Sequence, residues 1–271
     1  MCQATLVRLQ SARLAYVPSK TRIHRTMRCL LIAFIACAPA CSILYPAPTP
    51  IPSTYYATGS VAQDRALLLL LPGRSDTAAD FEKQGFVDVA RRSGAPIDLV
   101  AVDARFGYYV SKTLGQRLAT DVIAPARARG YRSFWLSGVS MGGIGALIYA
   151  QQHPNEVDGV LAVAPFLGDD DVIEEIEQAG GLATWKVTGK AKPGDYQREL
   201  WLWLGRCLPR APTCPRIFLG FGQSDRFVHA HRLLAAVLPP DQVIEVPGAH
   251  EWAPWLQIFE LALPRMFASP L

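Results

Sequence analysis

Phe134-Trp135-Leu136-Ser137-Gly138-Val139-Ser140-Met141-Gly142-Gly143-Ile144-Gly145-Ala146 passes from an apolar stretch, through a serine set between glycines, into a run of small residues. Residues 133–137 read as a short strand. Residues 142–152 read as a helix that stops at His153-Pro154. A sharp strand-to-helix turn between them would hold Ser140 in a strained backbone conformation and lift its Oγ clear of the sheet. Side chains at 138 and 142 would collide with the neighbouring strand and helix, so glycine suits both positions. Gly143, Gly145 and Ala146 let the helix lie close to the sheet, and its N-terminus favours negative charge nearby. Ser140 is therefore a candidate nucleophile, with a plain glycine turn as the alternative.

Outward from this turn, apolar runs and helical patterns alternate. Residues 66–71, ended by Pro72-Gly73, form a continuous apolar run of the kind buried on both faces of a parallel sheet. Further strands are expected at 97–102, 159–164, 216–221 and 242–246. Helices are expected at 77–92, 113–129 (bent or interrupted at Pro125), 228–237 and 251–266. Between 165 and 215 the rhythm breaks. This stretch carries Asp169-Asp170-Asp171 together with Trp185, Trp201 and Trp203, and reads as a cap-like insertion whose tryptophans form either a pocket wall or the insertion's own core. The fold class is α/β, a mostly parallel sheet with helices on both faces, and its chemistry belongs at the carboxyl ends of the strands.

A serine hydroxyl needs a base. Of His24, His153, His229, His231 and His250, only His250 lies in a loop after the last expected strand, within Pro247-Gly248-Ala249-His250-Glu251-Trp252. The imidazole in turn needs a carboxylate. Asp225, in Gly222-Gln223-Ser224-Asp225-Arg226-Phe227, follows a strand and precedes a helix. It is also a natural helix N-cap, and Asp103 and Asp169 to Asp171 compete for the role. The chain order Ser140, Asp225, His250 is that of a nucleophile elbow and its partners. An oxyanion would be met by backbone N–H groups. Met141 follows the nucleophile. In Leu71-Pro72-Gly73-Arg74, Pro72 has no N–H, which leaves Gly73 or Arg74, with Arg74 favoured by position.

The formal charge of +4 belongs to the N-terminus. Residues 1–28 hold six cations (Arg8, Arg13, Lys20, Arg22, Arg25, Arg28) and no acid. Setting those six apart from the 27 Lys and Arg leaves 21 against 23 acidic residues. No basic excess remains for nucleic acid to bind. Met27-Arg28 followed by Cys29–Ala36 and then Cys37-Ala38-Pro39-Ala40-Cys41 has the cation, apolar and small-residue zones of an export signal, within a leader at 1–41. Cys37 or Cys41 is a candidate lipidation site, and cleavage after Ala38 or Ala40 is the alternative. Residues 1–26 are either an extension upstream of a start at Met27 or a transit-like peptide. Pro46, Pro48, Pro50 and Pro52 make 42–62 an extended tether. Outside the leader only Cys207 and Cys214 remain, around a turn-rich loop. In an oxidising compartment they are a candidate disulfide, otherwise two separate thiols, and their spacing is not that of a zinc site.

With these residues in place, the chain from Ala66 onward resembles the α/β-hydrolase superfamily. Ser140-Met141-Gly142-Gly143 followed by Gly145-Ala146 is similar to its bacterial serine esterase branch. The resemblance implies cleavage of a small-molecule carboxylic ester through an acyl-serine intermediate, with no metal or organic cofactor. It also leaves two rivals: a thioesterase or lipase acting on lipid acyl groups, and a non-catalytic binding protein on the same scaffold. The leader implies export, to a periplasmic or lipid-anchored membrane location.

Overall fold

The computed structural model describes residues 46–58, 65–186, 194–210 and 214–267. Seven strands form one sheet: β1 (Ser53–Tyr56), β2 (Ala66–Leu71), β3 (Ile97–Val102), β4 (Ser133–Val139), β5 (Gly159–Val163), β6 (Arg216–Gly222) and β7 (Val243–Val246). Their spatial order is β1-β3-β2-β4-β5-β6-β7. β1 runs antiparallel to β3, and every other pairing is parallel. Because parallel neighbours need a crossover, each strand from β2 onward is followed by at least one helix that returns over the sheet.

The continuous apolar strands divide cleanly between two layers. In β2, Leu67, Leu69 and Leu71 enter one core cluster, while Ala66, Leu68 and Leu70 enter the other. This is the period-two alternation of a strand covered on both faces. One layer contains α1 (Ala78–Lys83), α2 (Phe86–Ser93) and the closing α10 (Trp252–Met266), whose Phe81, Phe86 and Phe259 are fully buried. The opposite layer contains α3 (Phe106–Val110), α4 (Leu114–Arg117), α5 (Ala124–Ala128), α6 (Met141–Gln152), α7 (Asp170–Gln178), α8 (Tyr196–Cys207) and α9 (Val228–Ala235).

Several elements depart from the sequence reading. The single helix expected over 77–92 is two, because Gly85 takes a left-handed φ of 90° between α1 and α2. The helix expected over 113–129 contains a π-helical stretch, Leu118–Ile123, immediately before Pro125. A proline ring clashes with the carbonyl four residues back and offers it no N–H, and widening the preceding turn absorbs both defects without ending the helix. Residues 53–56, read as tether, are the edge strand β1. Upstream of it the Ile51 N–H donates to Asp121 Oδ2 (2.9 Å) and the Tyr108 hydroxyl donates to the Pro48 carbonyl (2.6 Å). An edge strand is the one place in a sheet where neighbouring prolines cost little.

The described parts of 165–215 extend the second layer. α8 packs on α6 and α7 on α9. Trp185 and Trp201 are core residues: the Trp201 indole donates to the Leu167 carbonyl (2.9 Å) and that of Trp185 to Glu175 Oε1 (3.1 Å). Arg198 ties α8 to α7 through Asp171 and Glu175 and also pairs with Asp195 at the start of its own helix, and these carboxylates push its guanidinium pKa up. Cys207, at the end of α8, is disulfide-bonded to Cys214, ahead of β6. Cys37, Cys41 and the rest of the leader lie outside the described residues.

Candidate active site

The turn from β4 into α6 explains its own glycines. A Cβ on Gly138 would drive into the Gly142 carbonyl, and a Cβ on Gly142 would drive into the Leu71 carbonyl at the end of β2. Only bare backbone lets the helix start this close to the sheet. Ser140 sits at φ 54°, ψ −115°, a conformation that costs a non-glycine residue about 1–3 kcal/mol. The surrounding hydrogen bonds over-determine it. Its N–H donates to the Val163 carbonyl (2.9 Å), and its carbonyl accepts from the Gly143 (3.0 Å) and Phe166 (3.1 Å) N–H groups.

His250 and Asp225 arrive on loops that interlock. The Ser224 N–H donates to the Gly248 carbonyl (2.9 Å) and the Gln223 N–H to the Val246 carbonyl (2.8 Å), so the loop after β6 is hydrogen-bonded to the loop after β7. Gly248 adopts φ 123°, open to glycine alone at little cost. The result joins all three side chains. Ser140 Oγ lies 2.9 Å from His250 Nε2, and His250 Nδ1 lies 2.8 Å from Asp225 Oδ2. A carboxylate only accepts, so Nδ1 carries the proton and Nε2 is left to accept from the serine hydroxyl. Asp225 Oδ1 takes a second bond, from the Phe227 N–H (2.8 Å). Burial pushes the Asp225 carboxyl up, but the His250 and Phe227 bonds outweigh it and hold the group below its usual range. The imidazole is fixed edge-on between Phe227 and Trp255, with ring centroids 5.2 Å and 5.0 Å away.

Met141 opens α6, and its N–H is one that the helix cannot satisfy from within. The other candidate donor, Arg74, lies in the turn closed by the Asp76 N–H to the Gly73 carbonyl (3.2 Å). A Cβ built at Gly73 would be 3.6 Å from the Ser140 Cβ, which places this loop over the nucleophile. The Arg74 guanidinium turns outward, with Cζ 4.7 Å from the Phe106 ring centroid. Burial and the neighbouring Asp80 raise the Asp76 carboxyl in the same loop.

Ser140, Met141 and Arg74 share one cavity of about 740 Å³ with Phe166, Phe227 and Tyr196. The competitors for the acid lie elsewhere. Asp103 pairs with Arg105 (2.7 Å), and Asp169 accepts from Gln197 (2.7 Å). His153 stacks on Tyr149, and His229 is exposed beside Glu177. His231 is fully buried, with Nε2 2.9 Å from the Pro165 carbonyl and its pKa pushed down to about 4 by burial. The sequence reading missed Phe166, Phe227 and Tyr196. The first two follow strand ends, as expected for residues that face this edge of the sheet, whereas nothing local marks Tyr196.

A family model described as "Putative esterase" matches residues 105–266. Among curated proteins, none matches the chain by sequence. Among solved structures the chain is similar to a fluorophosphonate-binding serine hydrolase of Staphylococcus aureus (13% identity over 83% of this chain and 97% of that one, TM-score 0.58). It is also similar to the S-formylglutathione hydrolase of the same organism (13%, 82% and 99%, TM-score 0.52). A third is a peroxisomal α/β-hydrolase of Saccharomyces cerevisiae (12%, 84% and 86%, TM-score 0.54). At these identities the likeness is one of fold, the α/β-hydrolase fold.

Proposed function

The chain belongs to the esterase family matched over residues 105–266, and on that premise we propose that it cleaves a carboxylic ester with Ser140 as nucleophile, His250 as base and Asp225 as its partner. The observation that carries this reading is the unbroken relay of 2.9 Å and 2.8 Å hydrogen bonds from Ser140 through His250 to Asp225. As Ser140 Oγ adds to the ester carbonyl, its proton passes to His250 Nε2. The buried Asp225 stabilises the imidazolium and keeps the ring in register. The carbonyl oxygen, now negative, faces the N–H groups of Met141 and of the Gly73-Arg74 loop. Collapse breaks the bond to the alcohol oxygen, and His250 returns the proton to it, leaving an acyl-serine. Water then adds by the same route, giving its proton to His250. The carboxylic acid departs and the proton returns to Ser140. The experiment is hydrolysis of p-nitrophenyl esters by the wild type and by Ser140→Ala. A variant that keeps wild-type turnover contradicts the assignment.

We further propose that the chain is exported, with 1–41 as leader and a lipid on Cys37 or Cys41 tethering the domain. The zoned leader supports this, as does the Cys207–Cys214 disulfide, which suits an oxidising compartment. Mass spectrometry of the mature N-terminus tests it. A chain that retains Met1 and carries no lipid contradicts it.

A further inference from the structure

The cavity has a direction. Met141, Ile144, Gly145, Ile148, Tyr149 and Gln152 all line it. Their spacing places them on one face of α6, so the cavity follows this helix for three turns from the nucleophile, roughly 16 Å at the α-helical rise. The 106–115 segment packs directly against α6 and lines the cavity beside it. Phe106 lies under Arg74 at the Ser140 end, Leu114 would be 3.1 Å from a Cβ on Gly145, and Gly115 packs against Gln152 at the far end.

The lining is also less polar than its composition suggests. Four tyrosines contribute to it, and three of them, Tyr108, Tyr109 and Tyr149, have their hydroxyls turned away from the space, while Tyr196 stands at the mouth. Tyr108 donates to the Pro48 carbonyl (2.6 Å) and Tyr149 to Glu156 Oε2 (3.1 Å). The Tyr109 hydroxyl is buried against Gly145 with no hydrogen-bond partner among the described residues. What faces the middle of the groove is the Tyr109 ring and the Ile148 side chain, with Tyr108 and Tyr149 buried behind them. Of the ionic groups in the lining, Lys112 and Glu199 lie toward the far end, where α8 begins, and Arg74 and Arg226 toward the Ser140 end. At the mouth, Val110 and Tyr196 are 47% and 46% exposed, unusual for large apolar side chains in this molecule. Between these polar ends the lining is mainly apolar, so a hydrocarbon chain laid along it would lose contact with water.

The chemistry of the relay fixes which half of the ester enters. The leaving oxygen must sit at His250 Nε2, which protonates it. His250 does not line the arm along α6. The acyl half, bonded to Ser140 Oγ, is therefore the half that points down the groove. Resting on the esterase reading above, we propose that the substrate is an ester of an unbranched medium-chain aliphatic acid, whose acyl chain of about ten carbons lies extended over the seam between α6 and the 106–115 segment, along Ile148 and the ring of Tyr109.

The test is kcat/KM for a series of p-nitrophenyl esters from acetate to hexadecanoate, with the wild type and with Ile148→Trp, which blocks the groove about two turns beyond Ser140. In the wild type kcat/KM should rise by up to about fourfold per methylene to a maximum near decanoate, then fall. Ile148→Trp should move the maximum to butyrate or shorter and lower the decanoate-to-acetate ratio at least tenfold. Ile148→Phe, a smaller intrusion, should give an intermediate optimum, and thermal unfolding reports whether either variant is folded. A wild-type optimum at acetate or butyrate overturns the proposal, as does a chain-length profile that neither folded variant alters. Labelling by a small fluorophosphonate separates the two levels. If Ser140 is labelled and acetate is cleaved but decanoate is not favoured, only the acyl assignment fails. If Ser140 is not labelled, the esterase reading itself fails.

Discussion

Gly222 and Gly248 touch backbone to backbone: a Cβ added at 222 would enter the Gly248 carbonyl, 2.9 Å from its carbon and closer still to its oxygen. One glycine ends the strand that delivers Asp225 and the other stands two residues before His250. Their contact sets the spacing of the acid–base pair, and neither residue takes part in the chemistry.

Gly222→Ala should therefore push the two loops apart and damage catalysis more than folding. The expected cost in stability is about 1–3 kcal/mol. kcat for any cleaved ester should fall at least tenfold, because an active-site displacement of about 1 Å is enough to cost that and more. Urea unfolding and steady-state kinetics on the same preparation separate the two effects. Equal kcat with lowered stability would show that the glycine contact does not set the relay.

The Tyr109 hydroxyl offers a double-mutant test of packing behind the groove. A Cβ at Gly145 would run into that hydroxyl and lie 3.1 Å from Tyr109 Cε1. Tyr109→Phe removes a buried hydroxyl that has no partner among the described residues and should stabilise the fold by about 1 kcal/mol. Gly145→Ala should destabilise by roughly 1–3 kcal/mol, and less so in the Tyr109→Phe background. Additive effects would argue against the contact.

Acid should weaken the fold over two successive pH windows. His231 is neutral in its buried site, with a pKa of about 4 against an ordinary 6.5. Between those values the unfolded chain binds a proton that the native one refuses, so stability rises with pH across that window and falls on acidification. Above pH 6.5 the group has no further effect. From pH 7.5 to 5 the loss should be about 2 kcal/mol. His231→Gln, which keeps a donor for the Pro165 carbonyl and cannot titrate, should flatten that part of the profile. Asp225 acts later. Its folded pKa is depressed, so its contribution is whole above the ordinary carboxylate value and is lost as pH falls through the lower, native one. A wild-type stability that is flat between pH 7.5 and 5 would contradict the placing of His231.

Much of the sheet is legible in the sequence because β2 and β3 are buried on both faces, and apolar runs such as 66–71, or 97–102 broken only by Asp98, have few other uses. The elbow at Ser140 is legible because its glycines answer to local sterics. Gly85 was harder to read. It sits inside an unbroken helical pattern of apolar residues, and only its left-handed backbone, which no composition rule announces, divides α1 from α2. β1 is not legible in the sequence, because its four residues follow a proline-rich stretch and show no alternation, and its strand character comes from its partner β3. Trp185, Trp201 and Tyr196 are all aromatic residues of one insertion, yet two are core and the third lines the cavity. That choice is made by tertiary packing on α6 and α7, which sequence periodicity does not encode. Gly222 and Gly248 read as ordinary turn residues, because the contact that gives them meaning joins two separate loops.

The most direct measurement is the site and stoichiometry of labelling by a fluorophosphonate, read by intact and peptide mass spectrometry. The account expects one adduct per chain, on Ser140, abolished in Ser140→Ala and slowed by at least a hundredfold in His250→Ala. An enzyme that cleaves esters while Ser140 stays unmodified, or that is labelled equally fast without His250, would contradict it.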